Sequence, residues 1–384
     1  MRAAPLLLAL AFVAGALAGC STPAPADGPA DPSAKPAYQQ MGFDGTTWPR
    51  LDGVTLTILD HGAFGAFEEA RKLFENRTGA RVVHVEADDA GGVLQRAAAE
   101  KGDPTFDIIY GIDNVLWTRA VEEGVFEPYT PLLGTRVEAR HAFFDRTAAW
   151  PATPVDHGYV AVNWDPAHPA LAGANVSTLD DVRTHARHFA TPDPRTSTPG
   201  LGFLLATVAT YGEDGWQDYW RGLFAGGVLV TSGWTEAYEQ HFSAGYGADY
   251  GGRADKPIVT SYTTSPAYEA HFGRNASALA RVVTAPNATF HQVETMGIAK
   301  GTRNLAAAQA WVEFALTDEF QALLAPGMAV YPVVAGVDVA GTFGGLDPAP
   351  DALQPAPFTA QQLGENVERW VREWTALCEA AGCA

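Results

Sequence analysis

Two segments of the sequence place hydroxyl side chains directly before a proline that can open a helix. Residues 193–202 carry them before Pro199, and residues 261–268 carry them before Pro266. A helix N-terminus presents unpaired N–H groups, so hydroxyls beside it can help to bind an anion or a hydroxyl group. One such segment is explained as well by helix capping, but two of them predict the walls of a polar ligand cleft. The hydroxyl and aromatic side chains concerned are Ser197, Thr198, Tyr262, Thr263, Thr264, Ser265 and Tyr268.

The first part of the chain alternates strand and helix signals, which predicts an α/β fold. Residues 54–59, 81–85 and 107–111 have strand patterns, and residues 64–74 repeat apolar side chains at helical spacing. This alternation predicts a mostly parallel sheet with helices on both faces. Loops after the carboxyl ends of such strands gather ligand groups. Asp113 follows the third strand and is therefore a cleft candidate, although a helix N-cap explains it equally well.

A second region, residues 158–286, has helix and strand patterns of its own and a stretch rich in Trp and Tyr. The first pattern then resumes with a strand at 290–299 and an amphipathic helix at 305–315. A final apolar stripe, from Leu363 to Leu377, predicts a helix packed on the core. The chain therefore leaves its first region and returns to it.

Composition and charge limit the class of partner. The chain has 384 residues, and 25 Lys and Arg against 44 Asp and Glu give a net charge of −19. This length suits two domains, each large enough for its own core. The negative charge repels phosphate backbones and acidic membranes, so we expect no nucleic-acid partner. Cationic partners remain open.

Catalytic and metal-binding motifs are lacking in the sequence. It contains no G-x-S-x-G, H-E-x-x-H or P-loop pattern, and its body contains no cysteine pair with metal-ligand spacing. The ten histidines are scattered, and His185 and His188, the closest helical pair, fit a solvated face. We therefore expect a monomeric protein that is not an enzyme and has neither a metal site nor a cofactor.

The N-terminus carries a signal of export, which also bears on the two cysteines near the C-terminus. Residues 1–19 have a positive start and a short apolar run, followed by small residues before Cys20, a pattern similar to the lipobox of lipoproteins. An ordinary signal peptide is the alternative. Residues 20–50 then predict a disordered tether. Cys378 and Cys383 fit a disulfide in an oxidising compartment, with two free thiols as the alternative.

Three segments, 193–202, 233–238 and 261–268, resemble in order and spacing the thiamine-binding proteins of ABC importers. The resemblance extends over roughly residues 54 to 375. It implies a type II periplasmic-binding fold, in which two α/β lobes joined by crossing hinge strands close on a ligand. We expect lobe 1 at 51–157 plus 291–350, lobe 2 at 158–290, and a C-terminal helix and tail at 351–384. The hinge strands are expected at 155–162 and 291–299.

The resemblance also implies ligand contacts at particular residues. Asp89 stands where the family has an acid that contacts the ligand, and Ala90 stands where glycine is usual, so only a backbone contact carries over. Trp234 matches a tryptophan wall. His61 stands where the family has an aromatic phenol, and Ala329 stands where it has a tryptophan. One stacking face for the ligand is therefore missing unless Trp117 or another ring supplies it. The implied ligand-binding set is Asp89, Ala90, Ser197, Thr198, Trp234, Tyr262, Thr263, Thr264, Ser265 and Tyr268, with His61 and Asp113 as further candidates.

Taken together, these features predict an exported lipoprotein that captures thiamine or a thiamine phosphate and delivers it to an ABC permease. It would be anchored through Cys20 at the outer face of the cytoplasmic membrane or lie in the periplasm. A binding protein for ferric iron or another small ion is one alternative, although iron binders usually need paired tyrosines and Tyr262 is followed by Thr263. An exported enzyme that uses Ser197 as its nucleophile is another.

Overall fold

The computed structural model describes residues 46–87, 89–246, 251–272 and 280–383. The predicted signal peptide, the predicted lipidation at Cys20 and most of the predicted tether lie outside these ranges. At the tether's end, Trp48 already packs edge-on against Phe314, with ring centroids 6.2 Å apart. None of the helices in the described ranges is both long enough and apolar enough to cross a membrane.

The strands in the described ranges are β1 (Thr55–Asp60), β2 (Arg81–Glu86), β3 (Ile108–Asp113), β4 (Phe126–Glu127), β5 (Thr153–Trp164), β6 (Phe189–Pro192), β7 (Leu229–Thr231), β8 (Ile258–Tyr262), β9 (Arg281–Val282), β10 (Phe290–Ala299) and β11 (Tyr331–Pro332). The strands predicted at 54–59, 81–85, 107–111 and 290–299 lie close to β1, β2, β3 and β10 of the structure.

Helices occupy the segments between these strands. The α-helices are α1 (Phe67–Thr78), α2 (Ala90–Ala99), α3 (Trp117–Glu123), α4 (Leu179–Thr184), α5 (Thr198–Tyr211), α6 (Trp216–Ala225), α7 (Ser265–Phe272), α8 (Leu305–Ala315), α9 (Asp318–Met328), α10 (Ala340–Phe343) and α11 (Ala360–Ala381). A π-helical turn spans Glu236–His241, and short 3₁₀ turns lie at Leu132–Arg136, Ala139–His141, Pro169–Leu171, Ala186–His188 and Pro350–Ala352.

The main sheet has the order β2-β1-β3-β10-β5-β8-β6-β7. Neighbouring strands are parallel at both ends of the sheet, as the alternation predicts: β1 pairs with β2 and β3, and β6 pairs with β7 and β8. Its centre differs, because β10 and β5 run antiparallel to each other and to their outer neighbours β3 and β8. Antiparallel pairs arise here because each long strand crosses from one region to the other. The segments predicted as hinge strands form these two crossing strands.

Separate hydrophobic clusters cover the two ends of the sheet. One packs α1, α8 and α9 against β1 and β3, with Trp311 fully buried. Another packs α5, α6 and α11 against β5 and β8, where the rings of Trp220 and Trp374 meet edge-on at 5.4 Å. The predicted C-terminal helix is thus part of the second cluster. Cys378 and Cys383, near its end, form a disulfide.

Helix α11 also reaches the first region of the chain. Thr118 on α3 donates a hydrogen bond to the carbonyl of Ala360 (3.2 Å). A Cβ at Gly364 would lie only 2.6 Å from the Thr118 Cγ2 atom, so the two helices approach closely at a glycine. The C-terminal helix therefore contacts both α3 and α6.

Candidate functional site

A cavity of about 730 Å³ lies beside the crossing strands. Its walls come from the loops after β1 and β2, from the segments that precede α5 and α7, and from the end of α9. Its volume suits a small organic ligand. The residues that line it are His61, Ala63, Asp89, Ala90, Thr196, Ser197, Thr198, Pro199, Ser232, Gly233, Trp234, Thr235, Glu236, Tyr238, Tyr246, Tyr262, Thr264, Ser265, Tyr268, Glu269, Gln292, Glu294, Gly327, Met328, Ala329 and Val330.

The first hydroxyl segment forms a rigid loop that leads into α5. Asp193 accepts hydrogen bonds from the backbone N–H (2.7 Å) and the guanidinium Nη2 (2.6 Å) of Arg195. Ser197 is the N-cap residue of α5, but its side chain makes no capping hydrogen bond. A Cβ at Gly200 would lie 2.4 Å from the Pro192 carbonyl oxygen, so glycine allows the helix to start against the end of β6. Simple capping therefore does not account for the Ser197 hydroxyl.

The second hydroxyl segment is organised by its own side chains. The Ser261 and Ser265 hydroxyls lie 2.8 Å apart in a hydrogen bond, and Ser265 Oγ accepts the N–H of Tyr262 (3.3 Å). Thr264 donates across the cavity to the carbonyl of Ala329 (2.7 Å). Thr263 is buried and does not line the cavity; its N–H donates to the carbonyl of Tyr159 (2.9 Å).

Aromatic rings form one wall. Trp234 stacks on Tyr238 with ring centroids 5.0 Å apart and a 12° angle between the planes, and its indole N–H donates to Ser261 Oγ (2.9 Å). The Trp234 ring is partly exposed and lines the cavity, so it is not simply a core residue. Tyr246 and Tyr268 also line the cavity. Trp117 cannot replace the stacking face lost at Ala329, because it is buried between Phe126 and Phe144 and away from the cavity.

The floor is a polar network on β10 that the sequence analysis missed. Glu294 contacts His61 Nε2 (3.3 Å) and accepts from Gln292 Nε2 (3.1 Å), while Gln292 Oε1 accepts from the hydroxyl of Tyr262 (3.0 Å). Gln292 and Glu294 are two residues apart and so share one face of the strand. Two polar residues at alternate positions, Gln292 and Glu294, in a segment predicted as a hinge strand were the available signal.

The floor is electrostatically unusual. Burial opposes a charge on His61, but Glu294, helped by Asp156 and Asp60, raises the pKa of His61 to about 9. Burial, followed by the nearby Glu294 carboxylate, raises the pKa of Asp156 well above its usual range. The Tyr110 hydroxyl donates a hydrogen bond to Asp156. Near neutral pH, a protonated His61 therefore faces Glu294.

Asp89 and Ala90 lie at the start of α2. The Asp89 carboxylate caps this helix by accepting the N–H of Gly92 (2.7 Å). Ala90 is the first residue of α2, so its backbone N–H is one of those at the helix N-terminus that have no acceptor within the helix. This position fits the backbone contact expected of Ala90.

Asp113 is buried and does not line the cavity. Its Oδ1 accepts the N–H groups of Val115 and Leu116, each at 3.0 Å, in the turn that leads into α3. Asp113 is not the N-cap residue of α3, because that helix begins at Trp117 after Leu116. Burial raises the pKa of Asp113 to about 6, although these N–H donors lower it. Of the residues predicted for the site, the cavity brings together all except Asp113 and Thr263.

The described architecture matches known binding proteins. The model of the family "Bacterial extracellular solute-binding protein" matches residues 57–326. The chain is 28% identical over 332 residues to the "Thiamine-binding periplasmic protein" of Escherichia coli (strain K12), covering 85% of this chain and 94% of the relative. It superposes on the solved "Periplasmic thiamin binding protein" with a TM-score of 0.69 and 25% identity, covering 86% and 98% of the two chains.

A more distant structure shares the fold alone. The "Ferric binding protein from Campylobacter jejuni" superposes with a TM-score of 0.67 at 15% identity, covering 84% of this chain and 99% of that one. These neighbours are type II periplasmic binding proteins, which confirms the fold class expected from the sequence. The chain belongs to the bacterial extracellular solute-binding protein family.

Proposed function

We propose that the cavity binds thiamine or a thiamine phosphate, which the protein passes to an ABC importer. The observation that carries this proposal is that one cavity combines an acidic group, aromatic faces and two hydroxyl-bearing helix starts. Thiamine joins an aminopyrimidine to a thiazolium cation and ends in a hydroxyl or phosphate. The amine of the pyrimidine requires the acidic group, the thiazolium cation requires the aromatic faces, and the hydroxyl or phosphate requires the helix starts.

Glu294 is the acid best placed for the exocyclic amine of the pyrimidine. Its side chain is 12% exposed and reaches the cavity from the central strand β10. A carboxylate in such a site accepts a charge-assisted hydrogen bond from an amine. Asp89, the acid expected from the sequence, is committed to capping α2 and takes this role less readily. The fixed hydrogen bond from Gln292 holds the Glu294 carboxylate in place.

Aromatic residues offer faces for the thiazolium ring. A ring cation is attracted to the face of Trp or Tyr within about 6 Å of the ring centroid. Trp234, held by Tyr238 and Ser261, is the most rigid of these faces. Tyr262 and Tyr268 supply further rings on the same side.

The hydroxyl or phosphate end of the ligand is assigned to the helix starts. Ser197 and Thr198 open α5, a helix of fourteen residues, and the side chain of Ser197 is not used for capping. The N-terminus of such a helix favours a negative group. The start of α2 at Ala90 adds backbone donors in the manner expected from the sequence.

Calorimetry on ligand-stripped protein tests the proposal. Thiamine, thiamine phosphate and thiamine diphosphate are titrated separately, and we expect at least one Kd below about 10 µM, equivalent to about −7 kcal/mol. Oxythiamine, in which a carbonyl replaces the amine, is the matched control and should bind at least tenfold more weakly. The absence of heat and of thermal stabilisation with all three thiamine compounds at millimolar concentration would refute the assignment.

Ferric iron fits the site less well. An iron-binding tyrosine must lose its proton, but burial, together with the Glu294 carboxylate, raises the pKa of Tyr262 well above its usual range. The Tyr262 hydroxyl is also engaged by Gln292. A visible phenolate-to-iron absorption band after loading with ferric citrate would favour iron over thiamine.

The lobes proposed here are residues 51–157 plus 291–350 and residues 158–290, with 351–384 as a C-terminal helix and tail. The passage of β5 and β10 between the two core clusters supports these boundaries. Closure of the lobes on the ligand would be the signal that the permease reads. Small-angle scattering should give a smaller radius of gyration for the thiamine-loaded protein than for the ligand-free protein.

Export and anchoring complete the proposal. The small residues before Cys20 support lipidation of that cysteine, and the relatives described above carry periplasmic names. Labelled palmitate should be incorporated into the native chain and not into a Cys20→Ser variant. Release of the native chain into a soluble fraction without detergent would contradict an anchor.

A further inference from the structure

Three histidines from distant parts of the sequence meet behind the cavity floor. They are His141 in the 3₁₀ turn Ala139–His141, His157 on β5 and His291 on β10. Each offers one ring nitrogen, and the three nitrogens all lie within 4.8 Å of one another. His157 Nδ1 and His291 Nε2 are 3.3 Å apart, and the rings of His141 and His157 stack with centroids 3.9 Å apart.

This histidine cluster is separate from the proposed thiamine site. Adjacent residues on a strand face opposite sides of a sheet. Gln292 lines the cavity, so His291 belongs to the other face of β10. None of the three histidines lines the cavity. The pairing of β10 with β5, in which Val293 lies opposite His157, brings His157 and His291 together on that opposite face.

The cluster is buried, and part of it lacks a partner in the protein. His141 and His157 are 0% and 2% exposed, and Nδ1 of His141 has no hydrogen-bond partner within the described residues. Imidazole nitrogens that converge in such a place can act together as ligands of one metal ion.

We propose that His141, His157 and His291 form a binding site for a divalent transition-metal ion, with zinc as the best match. Three histidines and one open position are a known zinc ligand set, and imidazole suits zinc, copper and nickel. Two nitrogens bound to one tetrahedral zinc at ~2.0–2.1 Å lie about 3.3–3.4 Å apart. The 3.3 Å between His157 and His291 already meets this requirement. The nitrogen of His141 lies within 4.8 Å of the other two, so it must move on the order of 1 Å to complete the set.

Arg140 is the main opposing group. Its Nε donates to Nε2 of His141 at 3.3 Å, and a bound ion requires that contact to be released. The guanidinium has other partners to hold it, because it pairs with Asp351 (2.5 Å) and Glu138 (3.2 Å). These two carboxylates also offset the repulsion between Arg140 and an incoming cation. The ion would join the 139–141 turn to both crossing strands.

Metal titration of the full chain tests the site. The chain is purified with a histidine-free tag, stripped with EDTA and titrated with Zn²⁺ or Co²⁺. We expect one ion per chain with a Kd below about 10 µM, the visible absorption of four-coordinate Co²⁺, and a higher melting temperature with Zn²⁺. The sequence analysis expected no metal, so this result would also correct that prediction.

Single substitutions locate the ion. His157→Gln and His291→Gln should each weaken Zn²⁺ binding at least about 100-fold, because even the loss of a residue behind a ligand costs 10 to 100-fold. His188→Gln, which removes a histidine far from the cluster, is the control and should bind zinc like the native chain. Unchanged zinc affinity in both cluster variants, or no zinc binding by the native chain up to about 100 µM, overturns the proposal.

A direct measurement covers the case in which the buried substitutions fail to fold. Anomalous scattering at the zinc edge from crystals of the native chain places the ion without any variant. A peak within bonding distance of the three imidazoles supports the site. A peak elsewhere, or no peak after zinc soaking, overturns it.

Discussion

Glu294→Gln is the substitution that most directly tests the proposed ligand geometry. The change keeps the size of the side chain and one carbonyl oxygen, and it removes the negative charge that faces the cavity. In the native chain that charge contacts His61 at 3.3 Å and Gln292 at 3.1 Å. Gln292 keeps an acceptor in the variant, so the local hydrogen bonding is only partly disturbed.

The expected loss follows from the kind of hydrogen bond that is removed. A hydrogen bond to a charged group contributes about 1.5–3 kcal/mol, against about 0.5–1.5 kcal/mol for a neutral one. The difference, about 1–2 kcal/mol, corresponds to roughly a 5 to 30-fold weaker Kd for thiamine. The thiazolium cation also loses part of its attraction to the cavity, which acts in the same direction. The affinity for oxythiamine, which lacks the amine, should fall much less.

Calorimetry measures this loss, with both ligands titrated into the native chain and the variant. Glu69→Gln is the control, since Glu69 is exposed on α1, pairs with Lys72 and does not line the cavity. It removes the same charge without touching the ligand. If Glu294→Gln bound thiamine within threefold of the native chain, Glu294 would not be the acceptor of the amine. Equal losses for thiamine and oxythiamine would show that the effect is not specific to the amine.

Four further predictions concern single residues. The pKa of His61 is raised from about 6.5 in the unfolded chain to about 9 in the folded chain, so protonated His61 stabilises the fold fully below pH 6.5 and this contribution is lost as the pH rises through 9. The free energy of unfolding, measured by urea denaturation, should fall by on the order of 3 kcal/mol across that window, and by much less in His61→Gln. Trp234→Ala should weaken thiamine binding about 10 to 100-fold through loss of its ring face, whereas equal affinity by calorimetry would place the cation elsewhere. Ser197→Ala should reduce affinity for thiamine phosphate more than for thiamine, by about fivefold, and a uniform loss for both ligands would argue against contact with the phosphate. Ala329 has a φ of 57°, so Ala329→Gly should raise the free energy of unfolding by about 1 kcal/mol, and a lower urea midpoint would contradict this.

The fold was predictable because most of its elements have local signals. Alternating apolar runs predicted β1 and β3, and the helical spacing of apolar residues over 64–74 predicted α1. The return of a strand at 290–299 indicated that the chain crosses between regions twice. The antiparallel centre of the sheet was not predictable from periodicity, because strand direction depends on the path between strands and leaves no local pattern.

Cavity-lining residues could be predicted where hydroxyls cluster in sequence, and not where strand pairing brings single residues together. Ser197 and Thr198 lie next to each other and precede a proline, so they could be found from the chain alone. Glu294 reaches His61 only because β10 pairs with β3, since the two residues are 233 positions apart in the sequence. His141 and His291 are separated by 150 positions, and no repeat or spacing connects them. Long-range pairing of this kind is where a single sequence carries least information.

The hydrogen bonds across the cavity indicate what must provide the free energy of closure. Thr264 donates to the carbonyl of Ala329 (2.7 Å), and the hydroxyl of Tyr268 lies 3.4 Å from the carbonyl of Pro326. An average protein hydrogen bond contributes about 1 kcal/mol net, because water replaces it when the partners separate. Two such bonds contribute about 2 kcal/mol, roughly a 30-fold bias towards a closed form, whereas a shift from 1:99 to 99:1 requires about 10⁴-fold. Under the proposed function the ligand would supply the rest through contacts to both sides, with Glu294 on the floor and Trp234 and Ser197 on the walls of the cavity.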